Sequence, residues 1–171
     1  MAESNSTSIG RTFSIIAWLL LMAMLYFFFE DQIDQQLNPN RDINSYSTHS
    51  TNVVTLNADR YGHFITPGTI NQQPVIFMLD TGATHVAIPE KIANNLGLIK
   101  GQSYRVNTAN GQTLGYATEI ARLQIGNITL NNVKASITKG FEGEQILLGM
   151  SALKQLEFTH ANKQLILKQY H

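Results

Sequence analysis

A chain of 171 residues, 43% hydrophobic and without cysteine, has room for one domain and an appendage, and excludes disulfides, thiolate metal sites and a cysteine nucleophile. Twelve basic residues balance twelve acidic ones, so overall charge offers nothing to nucleic acid, which is not expected as a partner. His49, His63, His85, His160 and His171 lack the close spacing of a zinc site, and neither a metal nor another cofactor is expected.

Residues Phe13 to Phe29 read FSIIAWLLLMAMLYFFF, an uncharged run of 17 with Ser14 as its one clearly polar member. That length lies at the short end of the roughly 17–25 residues that cross a membrane. A buried core helix would keep a polar stripe, which this run lacks. It ends in bulky aromatics followed by Glu30 and Asp31, with no small-residue cleavage site, so an uncleaved signal anchor is favoured over a cleaved signal peptide. Arg11 precedes the run, whereas Glu30, Asp31 and Asp34 follow it, which predicts a short cytoplasmic terminus at residues 1–12, an anchor at 13–29 and the rest outside the cytoplasm.

Residues 30–52 are rich in Asn, Gln, Ser, Thr and Asp and carry neither a period of 2 nor one of 3.6. They are predicted as a polar tether that could extend to ~70 Å. Residues 53–171 read as a separately folding, soluble, mainly β domain. Ile70 leads through a turn at Asn71-Gln72-Gln73 into Pro74–Leu79, an apolar run of strand length that suggests burial on both faces. One short helix is expected, with Pro89 at its start, Glu90 in its first turn, Ile92, Ala93 and Leu96 on one face, and Gly97 as its stop. Asn110-Gly111, flanked by Tyr104, Val106, Leu114 and Tyr116, is a strong hairpin signal. Alternation around Gly126-Asn127 and through Val133, Ala135 and Ile137 marks half-buried strands.

Chemistry concentrates at Phe77-Met78-Leu79-Asp80-Thr81-Gly82-Ala83-Thr84, where an apolar strand runs into an aspartate followed at once by a hydroxyl and a glycine. Asp, Thr and Gly are common loop residues, so the tripeptide alone also fits an ordinary turn. Its setting adds weight. A glycine-tipped hairpin follows, and then Gln145-Ile146-Leu147-Leu148-Gly149-Met150, a second apolar strand closing on a glycine.

In that order these segments resemble the retropepsin-type aspartic proteases, and more narrowly their bacterial branch, in which one transmembrane helix precedes a single retropepsin-like domain. The resemblance runs from Asp59 to Leu167, including Asp59–Phe64, Thr108–Gly111 and Leu147–Leu153. It implies a closed β-barrel and an aspartic endopeptidase acting on polypeptides without a cofactor. Asp80 would be catalytic, with Thr81 meeting its counterpart across a dimer, Gly82 letting backbone approach the carboxylate, and Ala83 and Gly149 supporting the site. Residues Tyr104 to Tyr116 would form a flap that includes Thr108, Ala109, Asn110 and Gly111. Membership of that branch would put the helix in the bacterial inner membrane and the protease domain in the periplasm.

The mechanism needs two carboxylates sharing one proton, which predicts a mildly acidic optimum. This chain has one apolar-Asp-Thr-Gly segment, so a two-fold homodimer is expected to supply the second. Viral members often carry an acidic residue and an arginine where Thr84 and Met150 stand here; both partners of that ion pair are absent together, which spares the fold and bears on dimer strength. Gln164–Leu167 resembles the strand with which relatives build a dimer sheet, although an ordinary barrel strand would read the same. His85 could be drawn as a base, but the mechanism needs none and a loop histidine suffices. The matches to glycosylation sequons at Asn5 and Asn127 are short enough to arise by chance. A different class of function, a silent tethered module gripping an extended peptide, would keep the same fold.

Overall fold

The computed structural model describes residues 4–108, 111–141 and 143–170, apart from the side chains of residues 4–9, 31–35, 37 and 108. The chain divides into two compact units, Met1–Leu37 and Asn38–His171. The first contains helix α1 (Ser4–Leu37). Within it Gly10–Glu30 form 21 residues long and apolar enough to cross a membrane. At 1.5 Å rise per residue they cover about 31 Å, the thickness of a bilayer's hydrocarbon core. Trp18, Met22 and Phe27 are all exposed.

The second unit begins earlier than composition suggests. Strands β1 (Asn44–Ser47) and β2 (Thr51–Asn57) pair antiparallel, and α1 continues to Leu37, so the stretch read as a tether at 30–52 is structured at both ends. Asn40 is 2% exposed. Its Nδ2 donates to the carbonyls of Asn57 at 2.9 Å and Ile65 at 2.7 Å, while its Oδ1 accepts from the Asn57 N–H at 2.7 Å. Polarity misleads there because Asn40 bonds to buried backbone instead of water.

Among the described residues nine further strands follow: β3 (Ile65–Ile70), β4 (Gln73–Leu79), β5 (Val86–Pro89), β6 (Ser103–Thr108), β7 (Gly111–Ile125), β8 (Ile128–Thr138), β9 (Gln145–Leu148), β10 (Glu157–Ala161) and β11 (Gln164–Tyr170). One sheet runs β3-β4-β9-β5-β8-β7-β6, and an additional β3–β7 pairing returns it to its first strand, closing the expected barrel. Inside lie Ile70, Phe77, Ile88, Leu123, Ile137 and Leu148, each fully buried. Turn chemistry sets the register: Asn71 and Gln72 at φ 49° and 70° join β3 to β4, and Gly126 at φ 54° opens the two-residue turn between Ile125 and Ile128.

Two expectations change. Of the run Pro74–Leu79 only Phe77 is fully buried, because a closed barrel has a single inner face and alternate residues of β4 point away from it. The predicted helix appears as α2 (Glu90–Asn95) with Pro89 at its N-cap, but a second helix, α3 (Met150–Leu153), follows β9 directly. The strand that resembled a dimer element lies outside the barrel ring. In a four-stranded sheet of order β1-β2-β11-β10, β11 is paired on both edges within its own chain, which leaves β1 and β10 as the outer strands.

Candidate active site

The site is built from backbone outward. Asp59, 7% exposed, accepts hydrogen bonds at Oδ1 from the N–H groups of Tyr61 and His63, both at 2.8 Å, and so closes the turn that delivers Phe64. The Phe64 carbonyl then accepts the Leu79 N–H at 3.0 Å, one residue before Asp80. On the other side β4 runs parallel to β9, with Leu79 opposite Leu148, and the Asp80 N–H donates to the Leu148 carbonyl at 3.2 Å.

Because β9 lies between β4 and β5, the connection from Asp80 to His85 crosses over the end of β9. Gly149 stands at that crossing. A Cβ there would land on the His85 carbonyl oxygen and 2.6 Å from that of Ala83, so only glycine fits. The start of α3 then staples the loop: Met150 N–H donates to Ala83 O at 2.8 Å and Ser151 N–H to Thr84 O at 3.0 Å. Buried Ser151 adds a side-chain tie, its Oγ accepting the Val86 N–H at 3.0 Å and donating to Lys134 O at 2.6 Å.

Held this way, Asp80 is half-buried at the edge of a cavity of about 680 Å³. Its Oδ1 accepts the Gly82 N–H at 2.8 Å, and a Cβ on Gly82 would sit 3.1 Å from that oxygen. Among the described residues Asp80 has no ion-pair partner, and no three His, Asp or Glu side chains gather as a metal site. Thr81 is exposed, and its hydroxyl has no partner among the described residues.

The β6–β7 hairpin covers the cavity from one side, lending Tyr104, Arg105, Val106 and Asn107 to its lining, while Ala87, Ser136 and Leu147 come from the barrel wall. Thr108 pairs with Gly111, whose φ of 105° suits glycine, so Gly111 is already part of the ladder. Ala109 and Asn110, expected in the flap, lie outside the described residues, as does the side chain of Thr108.

Of the residues singled out in the sequence, Asp80, Gly82 and Ala83 line one cavity together, Gly149 lies beneath their loop, and Thr81 faces outward. His85, set aside as a loop histidine, lines the cavity too. Ser136 and Ser151 carried no signal of their own, since a serine within an alternating strand or beside a short helix reads as filler until its neighbours are known.

Comparison with known proteins gives the family and the fold. Residues 66–155 match the family described as "gag-polyprotein putative aspartyl protease". A protein of the cobV 5′ region in a Sinorhizobium species is 30% identical over 155 residues, covering 84% of this chain and 66% of that protein. A Rickettsia prowazekii (strain Madrid E) protein is 31% identical over 112 residues, covering 64% of this chain; the chain thus spans 66% and 48% of these two relatives' lengths. The crystal structure of a retropepsin-like aspartic protease from Rickettsia conorii superposes with a TM-score of 0.61 at 24% identity, over 73% of this chain and 98% of that one, and shares the fold.

Proposed function

This chain belongs to the gag-polyprotein aspartyl protease family, and from that premise we propose that it is a membrane-anchored aspartic endopeptidase, active as a homodimer with Asp80 as the catalytic residue of each subunit. The observation that carries this reading is the half-buried Asp80 carboxylate at the edge of a cavity of about 680 Å³, on a loop pinned by β9 and α3 and covered by the β6–β7 hairpin. A carboxylate so placed has one oxygen held by the Gly82 N–H and its second oxygen available to solvent chemistry.

Paired across a two-fold axis, two Asp80 carboxylates would share one proton, since two ionised carboxylates in contact repel. The ionised one takes a proton from water as that water's oxygen attacks the scissile carbonyl carbon. The protonated one gives its proton to the carbonyl oxygen, forming a neutral diol. Return of a proton to the leaving nitrogen breaks the carbon–nitrogen bond and yields a new acid and a new amine. Thr81, exposed beside Asp80, is offered as the residue that meets its counterpart across the axis. The apolar helix Gly10–Glu30 fits an anchor that holds residues 38–171 at the periplasmic face of the bacterial inner membrane.

The test is peptide cleavage. Full-length chain in detergent micelles is incubated with a peptide mixture, and the products are identified by mass spectrometry. Pepstatin-sensitive cutting is expected, with a loss of at least ~100-fold in Asp80→Asn, because that variant removes the ionisable group from both subunits. Undiminished cutting by Asp80→Asn would assign the chemistry elsewhere, and binding without cutting by the unaltered chain would assign the fold to peptide capture.

A further inference from the structure

Gly115 is buried inside β7, and its φ lies outside the left-handed region, so the backbone does not call for glycine there. A glycine inside a strand weakens it and commonly marks a place where something else comes close. Here the neighbour is the underside of the β6–β7 hairpin. Gly115 stands opposite Tyr104 on β6 and opposite Thr138 on β8, at the last residue pair that joins β7 to β8 before the hairpin leaves the wall.

Along β6 the side chains alternate: Ser103, Arg105 and Asn107 are exposed, whereas Tyr104 and Val106 are half-buried and share one face. That face meets the wall at Gly115. A Cβ there would overlap a methyl of Val106, with Ser136 Oγ at 3.0 Å and the Tyr104 ring at 3.6 Å. Val106, Ser136 and Tyr104 all line the Asp80 cavity, and Gly115 itself does not.

We propose that Gly115 is a positioning residue: its missing side chain leaves a seat in which Val106 rests, and the depth of that seat fixes how low the hairpin lies over the Asp80 cavity. Val106 is β-branched and has a single, restricted torsion, so its methyl yields mainly by moving the strand that carries it. The base of the hairpin is pinned, since Gly101 N–H donates to Ala117 O at 2.8 Å and Ala117 N–H to Gln102 O at 2.9 Å. A side chain in the seat therefore lifts Val106 and its neighbours on β6 and leaves the base where it is. Asp80 stays in place, because its loop is held by β9 and the start of α3 through contacts that include neither Gly115 nor Val106. Filling the seat should loosen the grip on a peptide without disturbing the carboxylate.

The consequence for peptides rests on the proposed protease, but the seat itself does not, so the two are measured separately. Hydrogen exchange of the full-length chain in detergent micelles is followed by mass spectrometry. In Gly115→Ala, exchange should quicken at least ~5-fold in segments 103–108 and 111–116, the lower end of what one added methyl costs in a packed contact, and stay unchanged in segment 145–153. Adding Val106→Ala removes the overlapping methyl and should bring exchange back to within about twofold of the unaltered chain, a coupling expected only of groups in contact. Unchanged exchange in Gly115→Ala, quickening that extends equally to 145–153, or failure of the second substitution to restore protection each overturn the seat. With a peptide that the unaltered chain cuts, Gly115→Ala should raise KM at least ~5-fold and keep kcat within about twofold, since the hairpin contributes binding and the carboxylate is untouched. A fall in kcat at unchanged KM is loss of folded enzyme and overturns the positioning role. If the unaltered chain cuts no peptide, the protease reading fails, and hydrogen exchange still decides whether Gly115 seats the hairpin.

Discussion

At Gly149 the end of β9 passes beneath the Asp80–His85 connection with no room for a Cβ, and the atoms in the way are backbone carbonyls of Ala83 and His85, not pliable side-chain ends. Gly149→Ala must therefore push the loop off the strand or spread β4 from β5. We expect it to destabilise the domain by about 1–3 kcal/mol, the usual cost of overpacking, and to displace Asp80. Urea unfolding of residues 38–171 measures the first effect and peptide cleavage the second. An unchanged midpoint would mean that the crossing is looser than the geometry states. Gly149 was legible beforehand because a glycine closing an apolar strand is a recognisable pattern. Ser136 was not, since its burial comes from a hairpin whose pairing partner is distant in sequence.

At the scale of elements, the four-stranded sheet changes where the domain should be cut. A fragment beginning at Val53 loses β1, the first two residues of β2 and Asn40, leaving the Asn57 N–H and the Ile65 carbonyl without their partner. A fragment beginning at Asn38 should be more stable than one beginning at Val53 by at least about 2 kcal/mol, the penalty for orphaned buried groups. Denaturant titration of the two decides it, and equal stability would show that Asn40 contributes little. On the β10–β11 pair, Glu157 accepts from Lys168 Nζ and from the Tyr170 hydroxyl, each at 2.9 Å. The hydrogen bond from Lys168, followed by that from Tyr170, holds its carboxyl below the ordinary 4.5. A carboxyl depressed on folding stabilises the fold above its unfolded value, and this contribution is lost as pH falls through the lower folded one. Glu157→Gln should lower Tm slightly at neutral pH, and the difference should vanish in acid. The effect is small because the pair faces solvent. A difference that persists in strong acid would place its origin outside the ionised pair.

For the molecule as a whole, the proposed mechanism requires that one catalytic aspartate per chain become two per site. With β11 paired on both edges inside its own chain, the proposed second copy would meet the outer strands β1 and β10, and Thr81 exposed beside Asp80. Anchoring would aid the encounter by confining both copies to a plane. If each subunit supplies one carboxylate, mixing unaltered chain with Asp80→Asn at equal amounts and fixed total protein should leave about a quarter of the dimers fully active, by random two-fold pairing. Cleavage rate measured against mixing ratio, well above the dimer dissociation constant, should follow the square of the unaltered fraction. A straight line despite demonstrated subunit exchange would mean that each chain works alone.

The sequence by itself determined the apolar helix, the barrel strands flanking tight turns, the Pro89-to-Gly97 helix and the Asp80-Thr81-Gly82 segment, because each is written in contiguous residues whose local physics is strong: unbroken hydrophobicity, period-two alternation, and turn residues with few alternatives. Tertiary structure alone decided that polar Asn40 is interior, that β11 is flanked by β2 and β10, that β4 has one buried face, and that Ser136 Oγ and His85 Nδ1 are buried without a hydrogen-bond partner. Those outcomes depend on which distant segments come to lie together, and a side chain's burial or lack of a partner is a property of its neighbours, which no local pattern carries.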